Sequence, residues 1–250
     1  MNKYELTSEI INYSGHKLYR IKALKDFSFV KAGELGGWIE SKRNLSQDGT
    51  AWVFDNAKVY GNSMVYENAE IHNTACIFDN AKVYGDAKVY NNVRIYNYAV
   101  VCGNTRVFND VIIYNKAKVY GYINIYNKVQ IYDEAIVCGC VSIIGNVLIH
   151  GNAIIDSSSI AIYGRVDICG NAKIYNRADY IVFKNFWSSG RYFTWTRSNN
   201  MWKVGCFYGT GEELIKKAYA DSEKSGKEYE RVVRYVESIL ADEQKDKQLK

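Results

Sequence analysis

From Val53 to Ile155 every sixth residue is valine or isoleucine, eighteen positions in a row. That period belongs to neither a helix nor an ordinary strand, and a short fixed repeat of this kind means a solenoid. The phase slips by one residue within Ser157-Ser158-Ser159-Ile160-Ala161 and resumes at Ile162, Ile168 and Ile174, which predicts a bulge at a corner. In a representative unit, Ala81-Lys82-Val83-Tyr84-Gly85-Asp86, small, polar, branched and aromatic residues alternate as in a strand with one buried face. Gly61-Asn62, Gly85-Asp86, Gly103-Asn104 and Gly151-Asn152 tolerate left-handed backbone angles and mark corners. Each hexad is one short strand and one corner. Three of them predict a three-sided parallel β-helix with eighteen residues per coil, and six to seven coils at the usual strand spacing make a column roughly 30 Å long.

Four residues after each branched aliphatic stands a small or β-branched one: Ala57, Ser63, Ala69, Ala75, Ala81, Ala87, Val93, Ala99. A narrow interior explains the choice, because overpacking costs about 1–3 kcal/mol per misfit. The position just after the aliphatic points outward and is aromatic in 14 of 21 repeats, too often for a merely polar surface. Residues eighteen apart share a face, so Tyr60, Phe78, Tyr96, Tyr114 and Tyr132 form one predicted ladder, and Phe54, His72, Tyr90, Phe108 and Tyr126 another. Such ladders stabilise the stack by about 0.5–1.5 kcal/mol per ring pair. They also offer a surface for a partner protein or for self-association through Tyr60, Tyr96, Tyr114 and Tyr132.

The flanks have different patterns. Residues 1–50 contain two strand-like runs, Tyr4 to Tyr13 and Lys17 to Leu24, about Ser14-Gly15-His16, and then the glycine-rich Lys31 to Ile39. An open solenoid end exposes unpaired strand edges, so this segment reads as a β cap. Residues 51–178 are the repeat. Residues 179–250 predict a small α+β module: three strands (Tyr180 to Phe186, Arg191 to Thr196, Met201 to Tyr208) joined at Ser188-Ser189-Gly190 and Ser198-Asn199-Asn200. A capping box at Thr210-Gly211-Glu212-Glu213 opens a helix to about Asp221, a second runs from Lys227 to Leu240, and the last ten polar residues fray.

The hexad resembles that of the hexapeptide-repeat, left-handed β-helix family, and handedness is implied by that resemblance alone. GELGGWIE followed by NLSQDGTAWVFDNAKVYGN is similar to the opening of hexapeptide-repeat proteins encoded by phages and prophages, a group that includes the YdcK-like proteins and is sometimes labelled as acyltransferases. The similarity covers about residues 26–178. Acyltransferases of the wider family use a histidine at a trimer interface and long loops around the acyl donor, and here the repeat runs from Val53 to Ile155 with no loop excursion.

Net charge is +5 with pI near 8.7, which permits nucleic-acid contact without requiring it. No signal-like leader or long apolar run appears, so a soluble, cytoplasmic protein with no membrane contact is expected. Six cysteines contain no CxxC, and Cys102 and Cys138, two coils apart, are too distant for a disulfide; reduced thiols are expected. His72 and His150 fall in the outward aromatic slot and are weak catalytic candidates. His150 and Cys169 share a face one coil apart, but a dyad lacks a third group, and two ligands make no metal site. Residues 180–208 interleave Trp187, Tyr192, Phe193, Trp195 and Trp202 with Arg191, Arg197 and Lys203, the composition of a surface that stacks bases and holds phosphates, although about half of these aromatics must form the core.

The resulting expectation is a cofactor-free, non-enzymatic phage-type binding protein engaging a host protein or ribonucleoprotein, in the manner of an anti-CRISPR inhibitor. The first alternative is an acyltransferase using acetyl-CoA or another acyl-CoA, acting as a homo-oligomer, a trimer, with His72 or His150 as base. The second is a structural phage component.

Overall fold

The computed structural model describes residues 2–187 and 189–248. The chain is mainly β, with two C-terminal helices, and divides into two compact units, Met1–Arg177 and Ala178–Lys250.

The first unit is a solenoid of about eight turns. Its register is the sequence repeat made spatial. Val53 pairs in parallel with Ile71, Ile71 with Val89, Val89 with Val107 and Val107 with Ile125, each partner one coil further on. Val59, Ile77, Ile95, Ile113, Ile131 and Ile149 form a second line, and Val65, Val83, Val101, Val119, Val137 and Ile155 a third. Three strand segments therefore complete one turn. All these aliphatics, and Ala57, Ser63, Ala69, Ala75, Ala81, Ala87, Val93 and Ala99 beside them, are fully buried, each larger side chain contributing roughly 1.5–3 kcal/mol of transfer free energy.

Corners lie two residues after each aliphatic. Gly61, Gly85, Gly103 and Gly151 adopt positive φ there, and Asp55, Asn73, Asp79, Asn91, Asn97, Asn109, Asn115 and Asp133 take the same conformation in other coils. Asx side chains tolerate it and hydrogen-bond along the stack: Asn91 Nδ2 donates to Asn109 Oδ1 at 2.9 Å, and Asn109 Nδ2 to Asn127 Oδ1 at 3.1 Å. The predicted bulge is present. Ser158 and Ser159 oppose the single Cys140, and the pairing interval changes from eighteen to nineteen, so that Ile149 pairs with Ile168.

Strands β1 (Tyr4–Tyr13) and β2 (His16–Ala23) form the expected hairpin. β3 (Leu35–Ile39) pairs antiparallel with β2 and parallel with Lys58–Val59, setting Ile39 beside Val59. The exposed edge of the first coil is thus paired rather than open. Polar groups finish the cover: the buried Lys3 ammonium donates to Ala51 O at 2.9 Å, and Asn44 Nδ2 donates to Gly61 O at 3.0 Å and Ser63 O at 2.9 Å. Trp52, in an outward slot, is fully buried because Tyr4 and Phe27 close over it at 6.1 and 5.3 Å between centroids.

In the second unit four antiparallel strands, Tyr180–Lys184, Tyr192–Thr196, Met201–Val204 and Phe207–Gly209, follow in chain order. The third predicted strand is two, because Gly205 at φ 58° turns the chain back on itself. Of the predicted Ser188-Ser189-Gly190 turn, Ser188 lies outside the described residues. Helix α1 (Gly211–Asp221) opens with the expected capping box: Glu213 N donates to Thr210 Oγ1, and Thr210 N to Glu213 Oε2. Helix α2 (Glu223–Gln248) continues well past Leu240 instead of fraying. Its last turns are held by the Arg197 guanidinium, which forks onto both Glu243 oxygens at 2.7 and 3.1 Å. Phe193, Trp195, Trp202 and Val204 form the core with Leu214 and Ile215 of α1 and Val233 and Val236 of α2.

Candidate functional site

Outward slots on the first two faces carry continuous ring stacks. Tyr60, Phe78, Tyr96, Tyr114 and Tyr132 follow one another at 4.7–5.2 Å with planes within 9°, close to the strand spacing that imposes them. His150 extends this ladder, 4.7 Å from Tyr132 and 2° from parallel. On the next face His72 lies between Phe54 at 4.1 Å and Tyr90 at 4.4 Å. Both histidines therefore occupy the predicted ladder positions, with ring planes fixed from one side or both.

What separates them from plain ladder members is their in-plane partners. In a strand, residues two apart project on the same face. Glu70 and His72 flank the buried Ile71 in this way, and His72 Nε2 lies 3.1 Å from Glu70 Oε2. Glu70 Oε1 accepts from Lys88 Nζ at 2.9 Å, which holds the carboxylate in place. Burial pushes the His72 imidazole below its ordinary pKa, and Glu70 opposes that only in part, so the ring is neutral near pH 7. Its shared proton on Nε2 leaves Nδ1 with the lone pair. A groove of about 700 Å³ starts at Asn73 and Thr74, next to His72, and follows the asparagine-rich corner past Asn91 and Asn109 to Asn127.

Around Ile168 the same geometry recurs with different donors. The nineteen-residue interval sets Cys169 beside His150, as expected, and Asp167 projects to the same side; His150 Nε2 lies 2.9 Å from Asp167 Oδ1. One atom each from His150, Asp167 and Cys169 fall within 4.8 Å of one another. Sequence reasoning lacked this third group because it followed the slot after each aliphatic and not the slot before. The same rule, applied two residues upstream, finds both Glu70 and Asp167. At the other ring edge, His150 Nδ1 lies 4.0 Å from Asp133 Oδ2.

The remaining predicted binding residues divide by burial. Tyr96, Tyr114 and Tyr132 are half-buried in their ladder, whereas Tyr60 is covered by Tyr13 and His16 of the cap hairpin. In the module Trp195 and Trp202 belong to the core and not to a surface, since strand alternation turns them toward the helices. Arg197 is committed to Glu243 and to Ala178 O. Trp187 packs against Phe193 and Tyr229, Tyr192 and Lys203 are half-buried, and Arg191 is exposed. None of the six cysteines is joined to another in a disulfide. Among the described residues no helix is long and apolar enough to cross a membrane.

No family model matches the chain. Among curated proteins it is similar to the protein called "Uncharacterized acetyltransferase YdcK" of Escherichia coli (strain K12), with 37% identity over 83 residues, 30% of this chain and 26% of that protein. The similarity thus spans about a quarter of the relative's length, and together with the β-solenoid it fits a hexapeptide-repeat family. That relative's name speaks of acetyl transfer and says nothing of a host complex.

Proposed function

We propose that the protein is an acyltransferase that moves an acyl group from a coenzyme A thioester to a hydroxyl or amine, with His72 as general base and Glu70 orienting it. The stack would be the three-sided, left-handed β-helix of hexapeptide-repeat acyltransferases. Three strand segments per turn and the resemblance of the hexad support that reading. The observation that carries the catalytic assignment is the Glu70–His72 pair: a neutral imidazole, clamped between two rings, with one nitrogen held by a carboxylate. Holding the Nε2 proton on Glu70 leaves Nδ1 to take the acceptor's proton as that oxygen or nitrogen attacks the thioester carbonyl. The departing thiolate is then protonated by the imidazolium or by water. Backbone and side-chain amides along the adjacent groove are suitable partners for the amide groups of a pantetheine arm. A second copy of the chain would close the donor site, because the coils carry no long loop to do so.

The test is thiol release from acetyl-CoA against a panel of amines and alcohols. His72→Ala is expected to lower kcat by about 10²–10⁴, the range of a lost general base, while Glu70→Gln lowers it less and leaves KM near the wild-type value. Because the base must be unprotonated and burial holds its pKa below the ordinary histidine value, kcat/KM should stay flat through neutrality and fall only at acid pH. Wild-type protein that releases no thiol with any acceptor, or full turnover in His72→Ala, overturns the reading.

A further inference from the structure

The cluster at the upper end of the Tyr60–Tyr132 ladder repeats the carboxylate–imidazole contact of the His72 site and adds a thiol to it. We propose that His150 Nε2, an Asp167 carboxylate oxygen and Cys169 Sγ bind a borderline divalent cation, Zn²⁺ above all, with the fourth position left to water. The inference goes beyond acyl transfer by His72 and does not rest on it: no residue is shared.

The donor set makes the argument. One imidazole, one carboxylate and one thiol are the ligand types that select zinc or cobalt over magnesium or calcium, which prefer oxygen alone. Spacing agrees. The three donor atoms lie within 4.8 Å of one another, and tetrahedral zinc with bonds of about 2.0–2.3 Å needs ligand atoms only about 3.3–3.8 Å apart. The 2.9 Å contact from His150 Nε2 to Asp167 Oδ1 is a hydrogen bond in which the proton stands where the cation would, and a few tenths of an ångström of opening admits the metal.

Orientation is supplied in advance. Tyr132 fixes the imidazole plane from below at 4.7 Å. Behind the ring, Asp133 Oδ2 faces Nδ1 at 4.0 Å while its own oxygens accept from Gly151 N at 3.1 Å and Asn115 Nδ2 at 2.9 Å. A carboxylate that accepts a hydrogen bond from the non-ligating nitrogen is the usual support for a metal-bound histidine, and Asp133 would have to close by about an ångström to give it. Cys169 is 5% exposed, whereas Asp167 and His150 are partly open to solvent. On binding, the Cys169 S–H bond breaks and a sulfur–zinc bond forms, with that proton leaving to solvent. Bound through Nε2, the imidazole carries its proton on Nδ1.

Equilibrium titration of the reduced full-length protein with Zn²⁺ against a chelating dye, paired with Co²⁺ absorption spectra, tests this. One equivalent of zinc should bind, and cobalt should give a thiolate-to-metal charge-transfer band with the intense visible bands of tetrahedral geometry. Cys169→Ser abolishes the charge-transfer band, and His150→Gln and Asp167→Asn weaken zinc by at least about tenfold. Cys206→Ser, a change at an exposed thiol in the other unit, alters neither. Should Cys169→Ser fail to fold, Asp167→Asn at its partly exposed position decides. Absence of the band in wild-type protein, its survival in Cys169→Ser, or unchanged zinc affinity in Asp167→Asn overturns the proposal.

Discussion

A side chain in the solenoid has as its main neighbours the residues one coil before and one coil after, whereas a side chain in the C-terminal unit draws its neighbours from scattered places. Tyr114 touches Tyr96 and Tyr132, near copies of itself. Trp202 meets Phe183, Phe193 and the α1–α2 core. In the first case each contact is repeated many times and no single one closes the structure. In the second, one ring is wedged among strands and helices drawn from separate stretches of the chain. Trp202→Ala should therefore cost about 3–5 kcal/mol, the range for a large buried aromatic, and the loss should appear in hydrogen exchange of residues 192–204 and not of residues 83–137. Equal loss of protection in both regions would show that the two units unfold as one.

Stacking imposes its own demands, and glycine shows them best. Gly139 and Gly164 share a left-handed backbone, φ 87° and 88°. A methyl on Gly164 would meet nothing within 4 Å, while one on Gly139 would stand 2.2 Å from Ser157 O in the next coil. Gly164→Ala thus measures conformational strain alone, about 1–2 kcal/mol. Gly139→Ala should show that strain plus about 1–3 kcal/mol for forcing two coils apart. Urea unfolding of the pair reads the difference directly, and equal values would mean that the coils give way freely at this corner.

The same contrast decides what could be read from the residues. Val53 to Ile155 announce their burial because a six-residue period leaves one solution, and the single slip at Ser157–Ala161 is visible as a break in phase. Ladder membership of His72 and His150 follows from counting eighteen. Glu70 and Asp167 were legible by the same counting but stand in a slot filled elsewhere by Lys82, Lys88 and Arg94, where polarity alone carries no message; only side-chain geometry separates a partner from a solvated neighbour. In residues 180–248 no period exists. Trp187, Trp195 and Trp202 have equal claims to surface or core by composition, and the helices that bury two of them lie far along the chain. The turn at Gly205 and the fork from Arg197 to Glu243 are likewise products of tertiary contact.

Lys3 and the ladder tyrosines place opposite pH signatures on the solenoid unit. Burial lowers the Lys3 ammonium from its ordinary 10.5 to about 8, so between pH 8 and 10 the folded chain has given up a proton that the unfolded chain keeps. The unfolded state then binds more protons, and stability rises with pH, on the order of 1–2 kcal/mol once solvent screening at the ammonium is allowed for. Tyr60 and Tyr132 are pushed by burial up to about 12. Above pH 10 the unfolded chain ionises its tyrosines while the folded chain does not, the folded state binds more protons, and stability falls. Chemical denaturation at a series of pH values should accordingly show a maximum for residues 1–177 close to pH 10. Lys3→Met should remove the rising limb and leave the falling one, whereas a rising limb that persists in Lys3→Met would place its origin in some group other than the ammonium that covers Ala51 O.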